Sequence, residues 1–148
     1  MALLRTRAIL TGRQLQLFDV HERAILSGGE EGAAAMRHSL SVKKVKELRR
    51  QRRRLEGAGK LAFRTARTPL EVRDATEQFL ALEARGWKGR RGTALLGDPA
   101  LTTITRTMTR LLARDGKCRV LTLELDSEPV AAGILLESGG YAYLWKIA

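Results

Sequence analysis

The 148-residue sequence has one cysteine, two histidines and few aromatic residues, which make up 5% of the chain. The single cysteine, Cys118, excludes an internal disulfide and is typical of a reducing compartment, so we expect a cytoplasmic protein. Because the histidines and the cysteine are far apart in sequence, they show no metal-ligand spacing, and no metal site is predicted. The longest apolar run, VAAGILL, is much shorter than the ~18 residues of a membrane span, so no such span is expected.

The positive charge is concentrated in one segment. The formal net charge is +11, and eleven basic but only two acidic residues lie between Lys43 and Arg67. Such a segment can bind the phosphates of a nucleic acid or of a cofactor, or it can be the solvated face of a helix. No aromatic residue occurs between 42 and 62, and no nucleic-acid-binding motif flanks the segment, so sequence-specific recognition of nucleic acid is not expected. The predicted anion-binding residues are Arg49, Arg50, Arg52 and Arg53.

The first 40 residues carry weak signals, and we assign them to the same domain as the rest. RQLQLFDV is compatible with a strand, VHERAIL with a short helix, and residues 27–32 with a loop. From Ser41, which can cap a helix, a basic helix is predicted over 42–56 and ends at the glycines that follow. Its narrow apolar stripe consists of Val42, Val45, Leu48 and Leu55.

The remaining residues predict two capped helices and four strands. KLAFRTA alternates as a strand does, and TPLE at 68–71 combines a Thr cap, a proline in the first turn and a glutamate three residues after the cap. A second helix starts at Asp98-Pro99, with a predicted core stripe of Leu101, Ile104, Met108 and Leu111. CRVLTLEL, PVAAGILL and YAYLWKIA then follow, joined by connections short enough for antiparallel hairpins. The predicted fold class is α/β (α+β), with helices packed on a mixed, largely antiparallel sheet.

Four segments, KKVKELRRQRRRL, GWKGRRGTAL, EPVAAGILLESGG and YLWKIA, and the order of the elements resemble one family. It is that of the BioF-like and cellulose-biosynthesis (CelD-like) acetyltransferases of the GNAT type. The resemblance covers residues 41–148 and implies the N-terminal portion of a GNAT domain. It implies an acyl-CoA-dependent transfer, from acetyl-CoA or another acyl-CoA, to an amine of a small molecule or envelope sugar. In such folds the pantetheine lies beside the fourth strand, and the pyrophosphate binds a glycine-containing loop at a helix start.

If YAYLWKIA is the fourth strand, the pyrophosphate loop and the fifth strand do not follow it. We therefore expect an incomplete domain, or a second chain that completes the sheet, because an open strand edge tends to pair. Two alternatives stay open at this stage. One is an inactive homologue of the same fold, and the other is a non-enzymatic module that binds anionic partners through helix 42–56.

The resemblance also suggests site residues. Trp145, Lys146, Trp87 and Lys88 are candidates for cofactor binding, with Lys146 expected on the face opposite Tyr141, Tyr143 and Trp145. Tyr143 is a candidate general acid towards the leaving thiolate. Glu124 is the candidate proton acceptor, with Glu137 behind it, although either can be an ordinary exposed carboxylate. Without a His partner, Cys118 is not expected to be a nucleophile, and His21 and His38 are expected at the surface.

Overall fold

The computed structural model describes residues 6, 8–14 and 29–148. The chain divides into two compact units, Met1–Val45 and Lys46–Ala148. The predicted helix VHERAIL and His21 lie outside the described residues, as does nearly all of the predicted strand RQLQLFDV.

Helix α1, Gly29–Ser39, includes residues for which a loop was predicted. Glu30 and Glu31 occupy its first turn, and Arg37 and His38 its last turn. Carboxylates near a helix start and a cation such as Arg37 near its end both interact favourably with the helix dipole, and an alanine run lies between them. The loop prediction for residues 29–32 is therefore wrong, because it gave the glycines more weight than the charges. His38 is exposed, as expected.

Helix α2, Val42–Ala58, confirms the basic helix and extends it by two residues beyond the predicted end. Ser41 Oγ accepts a hydrogen bond from the N–H of Lys44, at 3.2 Å, as expected of a cap. No residue of α2 is buried.

Four strands form one sheet in the order β1-β2-β3-β4, and every neighbouring pair is antiparallel. Each of the two hairpin turns has two residues with positive φ, Asp126 and Ser127 in the first and Gly139 and Gly140 in the second. This backbone matches the right-handed twist of the flanking strands. The predicted α/β class is confirmed. The strands are β1 (Leu61–Ala66), β2 (Cys118–Leu125), β3 (Glu128–Ser138) and β4 (Tyr141–Ile147).

Helix α3, Pro69–Arg85, begins with the predicted capping box. Thr68 Oγ1 accepts the N–H of Glu71 at 3.3 Å, and Glu71 Oε2 accepts the N–H of Thr68 at 3.0 Å. Hydrogen bonds from the backbone of Thr68 and Arg67 and from the Thr68 side chain lower the pKa of Glu71. The helix buries Val72, Phe79 and Leu80 against the sheet. We call the side of the sheet that carries Cys118, Val120 and Ile134 the covered face.

A short helix α4 (Trp87–Arg90) and a 3-10 turn (Leu95–Gly97) lead to helix α5 (Pro99–Arg114). Asp98 Oδ1 caps α5 by accepting the N–H groups of Ala100 and Leu101. The cap is as predicted.

The buried face of α5 is not the predicted one. Thr102, Thr105 and Thr109 are buried, whereas Ile104 and Leu111 are 56% and 52% exposed. Each threonine hydroxyl donates to a backbone carbonyl: Thr102 to Leu95, and the others to the residue four positions earlier. A hydroxyl satisfied in this way can be buried, and a small side chain permits close approach of α3. The prediction that Leu101, Ile104, Met108 and Leu111 face the core is therefore wrong.

Candidate functional site

Strand β4 contains a bulge at Trp145. Leu144 pairs with Leu135 and Lys146 pairs with Ile134, so Trp145 is an extra residue with no partner of its own on β3. The indole packs against the buried core cluster. A bulge disrupts the ladder locally and re-aims neighbouring groups, which is why bulges are frequent beside functional sites.

The bulge changes the face on which Lys146 lies. Tyr143 pairs with Leu136 and Lys146 pairs with Ile134, and these two residues of β3 are on the covered face. Lys146 therefore shares a face with Tyr143, and the prediction that it lies opposite is wrong. That prediction assumed a strict alternation, which one extra residue inverts. The Lys146 ammonium lies 5.8 Å from the centre of the Trp145 ring.

In the part of the chain that the structure describes, no strand pairs with the outer edge of β4, and we call this the free edge. It presents backbone groups near the bulge. Ala132 and Ala148 exchange both N–H···O bonds, at 3.0 and 2.8 Å. Because hydrogen-bonded and non-bonded pairs alternate in an antiparallel ladder, the N–H and C=O of the neighbouring Ile147 point away from β3. Lys88 Nζ donates to the Ile147 carbonyl at 2.6 Å, which agrees with that direction. The outer edge thus offers the Ile147 N–H two residues after the bulge.

Lys88 also binds a buried carboxylate. Its Nζ lies 2.7 Å from Glu83 Oε1, and Glu83 Oε2 accepts the N–H of Leu95 at 2.8 Å. The side chain of Glu83 is 1% exposed and that of Lys88 16%. This network joins the end of β4 to α3 and to the loop after α4. Lys88 is a scaffold residue in this arrangement, with two of the three N–H donors of its ammonium group bound to Glu83 and to the Ile147 carbonyl.

Glu83 was not found in the sequence, although a signal was present. It follows Phe79 by four residues and therefore continues the buried side of α3. A carboxylate at such a position requires a partner, because an unpaired buried charge is costly. The nearest cation along the chain is Arg85, on another side of the helix, and the one that the fold supplies is Lys88.

Trp87 and the two tyrosines remain accessible. Trp87 is 54% exposed and lies on α4, the helix that also carries Lys88, with the Arg91 guanidinium 5.2 Å from its ring centre. Tyr143 is 48% exposed, and its ring centre is 6.4 Å from that of Tyr141. The four predicted cofactor-binding residues and Tyr143 therefore all lie on β4 or on the short helix α4.

Glu124 lies elsewhere. It is buried on β2, where its Oε2 accepts a hydrogen bond from Arg64 Nε at 2.7 Å, and this bond raises the pKa of Arg64. In the register, the partners of Glu124 and Tyr143 are seven residues apart on β3, which puts the two side chains about 25 Å apart. The structure therefore does not bring Glu124 and Tyr143 together. Glu137 pairs with Ala142 but is bound by Arg119 at 2.7 Å.

Two other groups take no part in this region. Burial, and secondarily the charge of Glu137, raise the pKa of Cys118 to about 11, so the thiol is protonated at neutral pH. The four predicted anion-binding arginines are all on α2: Arg49, Arg50, Arg52 and Arg53.

Among the described residues, no group of three or more His, Cys, Asp or Glu side chains is arranged to hold a metal ion. No described helix is long and apolar enough to cross a membrane.

Comparison with known proteins places these features in a family. No curated protein and no solved structure matches the chain. The sequence model of one protein family, the acetyltransferase (GNAT) domain, matches residues 42–148, which is more than half of the chain. The matched range contains the whole sheet, the bulge of β4 and the Lys88–Glu83 anchor. The chain therefore belongs to the GNAT acetyltransferase domain family, which supports acyl transfer from an acyl-CoA as its general activity.

Proposed function

We propose that the chain transfers an acyl group from acetyl-CoA, or another acyl-CoA, to an amine of a small molecule or envelope sugar. We further propose that the thioester binds at the outer edge of β4, beside the bulge. The observation that carries this proposal is the free edge itself, where Ile147 directs its N–H outward two residues after Trp145. An edge of this kind accepts an extended ligand in the way that it accepts another strand.

The groups present fit the pantetheine arm of the cofactor. That arm is extended and carries two amides, so it can bond to outward-facing backbone groups. The N–H of Ile147 is a donor of the type that stabilises negative charge on a carbonyl oxygen, because it is fixed before the reaction. The anchor of Lys88 on the Ile147 carbonyl holds this segment in place. Trp87 and Trp145 supply apolar surface at the same end of the sheet.

A bound acyl-CoA would supply an activated thioester, whose acyl carbon bonds to the acceptor nitrogen as the C–S bond breaks and the amine proton passes to solvent. Within the chain, we propose that Tyr143 donates the proton that the leaving sulfur takes and regains one from solvent, since its phenol is accessible and two residues from the bulge. Glu124 and Tyr143 do not fit the roles of proton acceptor and proton donor at one thioester, because about 25 Å separate them. Lys146 is proposed to neutralise cofactor charge from the covered face.

Three finer predictions stay predictions. They are membership of the BioF-like and CelD-like subfamily, a cytoplasmic location, and a second chain that completes the sheet. The last of these competes directly with the cofactor, because both would occupy the free edge of β4.

The proposal is tested by titrating acetyl-CoA into ¹⁵N-labelled protein. We expect amide shifts concentrated at residues 143–148 and at Trp87. The matched variants are Ile147→Val, which keeps the N–H, and Ile147→Pro, which removes it at an edge position that tolerates proline. Loss of one hydrogen bond of about 1 kcal/mol predicts roughly fivefold weaker acetyl-CoA binding for Ile147→Pro. The affinity of Ile147→Val should not change, because its N–H is kept. Shifts confined to α2 or β1, with β4 unchanged, would contradict the proposal.

Turnover can be followed by release of CoA thiol in a panel of amines. The assay suits this protein, because Cys118 is buried with a raised pKa and reacts poorly with the thiol reagent. Tyr143→Phe is expected to lower kcat more than it changes acetyl-CoA affinity, since the ring stays and only the hydroxyl is removed. Equal loss in both quantities would instead indicate a binding role for that hydroxyl.

A further inference from the structure

We propose that helix α2 binds the phosphate backbone of duplex nucleic acid without reading its sequence. The surface concerned, which we call the cationic face, consists of Lys46, Arg49, Arg50, Arg53 and Arg54. These positions follow the spacing i, i+3, i+4, i+7 and i+8, so all five cations are on one side of the helix. Their side chains border one shallow depression.

The cationic face takes no part in the buried core of the described residues. No residue of α2 is buried, and all five cations are exposed. Within the described residues, Arg50 is the one member of the face with an acidic partner, Glu47, at 2.8 Å. Arg52, which pairs with Glu56, points to another side of the helix. Repulsion among the remaining cations destabilises an isolated helix, so a bound polyanion would relieve it.

The chemistry of the face favours nucleic-acid phosphates over a lipid surface. Four of its five cations are arginines, whose planar guanidinium binds a phosphate through two parallel hydrogen bonds, whereas a charged membrane needs only point charges. Helices that lie on membranes carry a broad apolar face, rich in Trp, Phe and Leu, opposite their cations. On α2 the side opposite the cationic face offers only two apolar side chains, Leu48 and Leu55, and the helix has no aromatic residue.

The dimensions also agree with a duplex. From Lys46 to Arg54 the helix rises about 12 Å, and a duplex carries one charge per ~1.7 Å of its axis. An α-helix with no buried residue fits a major groove about 12 Å wide, where both backbones are within reach. Without an aromatic side chain to stack on bases, binding depends on phosphates alone.

The test is the salt dependence of binding to a short fluorescein-labelled DNA duplex, measured by anisotropy. With five phosphate contacts the slope of log K against log salt is expected near −4.5, or about 500-fold weaker binding between ~50 and ~200 mM salt. The variant Arg49→Gln, Arg50→Gln, Arg53→Gln, Arg54→Gln should have a slope near −1 and lose only about fourfold over that range. Glutamine forms helix nearly as well as arginine, so α2 should stay folded.

The matched control changes four exposed arginines elsewhere, Arg67, Arg85, Arg110 and Arg114, to glutamine and lowers the net charge equally. The control is expected to retain a slope within about one of the wild type. An equal fall in both variants would overturn the proposal, since net charge alone would then explain binding. Tighter binding of the wild type to vesicles of phosphatidylcholine and phosphatidylserine than to the duplex would also overturn it.

If circular dichroism shows that the fourfold variant is unfolded, the single variants Arg49→Gln and Arg53→Gln replace it. Each should reduce the slope by about one, and an unchanged slope would refute the proposal.

Discussion

Helices α2 and α3 are both 17 residues long, but the fold uses them differently. α3 buries five residues and begins with a capping box, whereas α2 buries none and carries the densest charge in the chain. Most helical stability in proteins comes from packing of an apolar face rather than from helix propensity. The difference therefore separates a helix whose sequence is set by the core from one whose sequence is available for contacts outside the fold.

The contrast is sharpest for large apolar side chains. Phe79 on α3 is fully buried, and Leu48 on α2 is 42% exposed. Phe79→Ala should lower the free energy of unfolding by about 3–5 kcal/mol, because it leaves a cavity among Val72, Leu80 and the sheet. Leu48→Ala should cost less than about 1 kcal/mol. Urea denaturation of the two variants measures both values, and similar losses would show that α2 is packed as firmly as α3.

The next largest loss of stability is expected at the Lys88–Glu83 ion pair near the end of α3. Lys88→Met leaves the Glu83 carboxylate buried without its cation, which should cost about 3 kcal/mol. Adding Glu83→Gln removes the charge and keeps an acceptor for the Leu95 N–H, so the double variant should recover more than half of that loss. Thermal unfolding of the two single variants and the double variant gives the coupling energy. Additive losses would mean that the pair contributes nothing beyond its separate contacts.

Removal of the N-terminal cap should have more similar effects on stability in α3 and α2. Thr68→Ala removes the side-chain cap of α3 and should cost about 1 kcal/mol, whereas Ser41→Ala at the start of α2, which has no buried residue, should cost nearer half of that. Because the fold lowers the pKa of Glu71, its contribution to stability is present above the usual value of 4.5 and is lost as the pH falls through that range.

Glu71→Gln supplies the measurement for that pH effect. Glutamine keeps an acceptor for the Thr68 N–H but does not titrate, so the melting temperature of wild type should fall relative to this variant below about pH 4.5. A constant difference between the two proteins from neutral to acid pH would mean that the carboxylate charge does not contribute to the cap.

Features with local causes were predictable from the sequence. The capping box at Thr68, the Asp98 cap and the hairpins of β2, β3 and β4 each depend on residues within a few positions of one another. The family resemblance also came from short segments, and the family match confirms it at the level of the GNAT domain.

Apart from the loop predicted at residues 29–32, where local signals were misjudged, the features that were missed depend on distant partners or on register. The core face of α5 is set by threonines that close against α3, and hydrophobic spacing alone assigned the opposite side. The bulge at Trp145 is visible only when β3 is paired with β4. Glu83, Lys88 and Ile147 meet through residues up to 64 positions apart in sequence, from Glu83 to Ile147, and no pattern along the chain joins them.

The smallest expected difference concerns exposed ion pairs. It tests whether the ion pair with α5 stabilises α3. Glu77 on α3 receives two hydrogen bonds from Arg106 on α5, both 2.7 Å, whereas Glu56 on α2 pairs with Arg52 of the same helix. The fixed double contact between two helices should make Glu77→Gln cost roughly 0.5–1 kcal/mol, against about 0.3 kcal/mol for Glu56→Gln. Repeating both unfolding measurements in about 1 M salt should reduce each loss, because screening weakens exposed pairs. If Glu56→Gln proved the costlier change, the pairing within α2 would matter to the fold, and the separation between a core helix and a freely charged one would not hold.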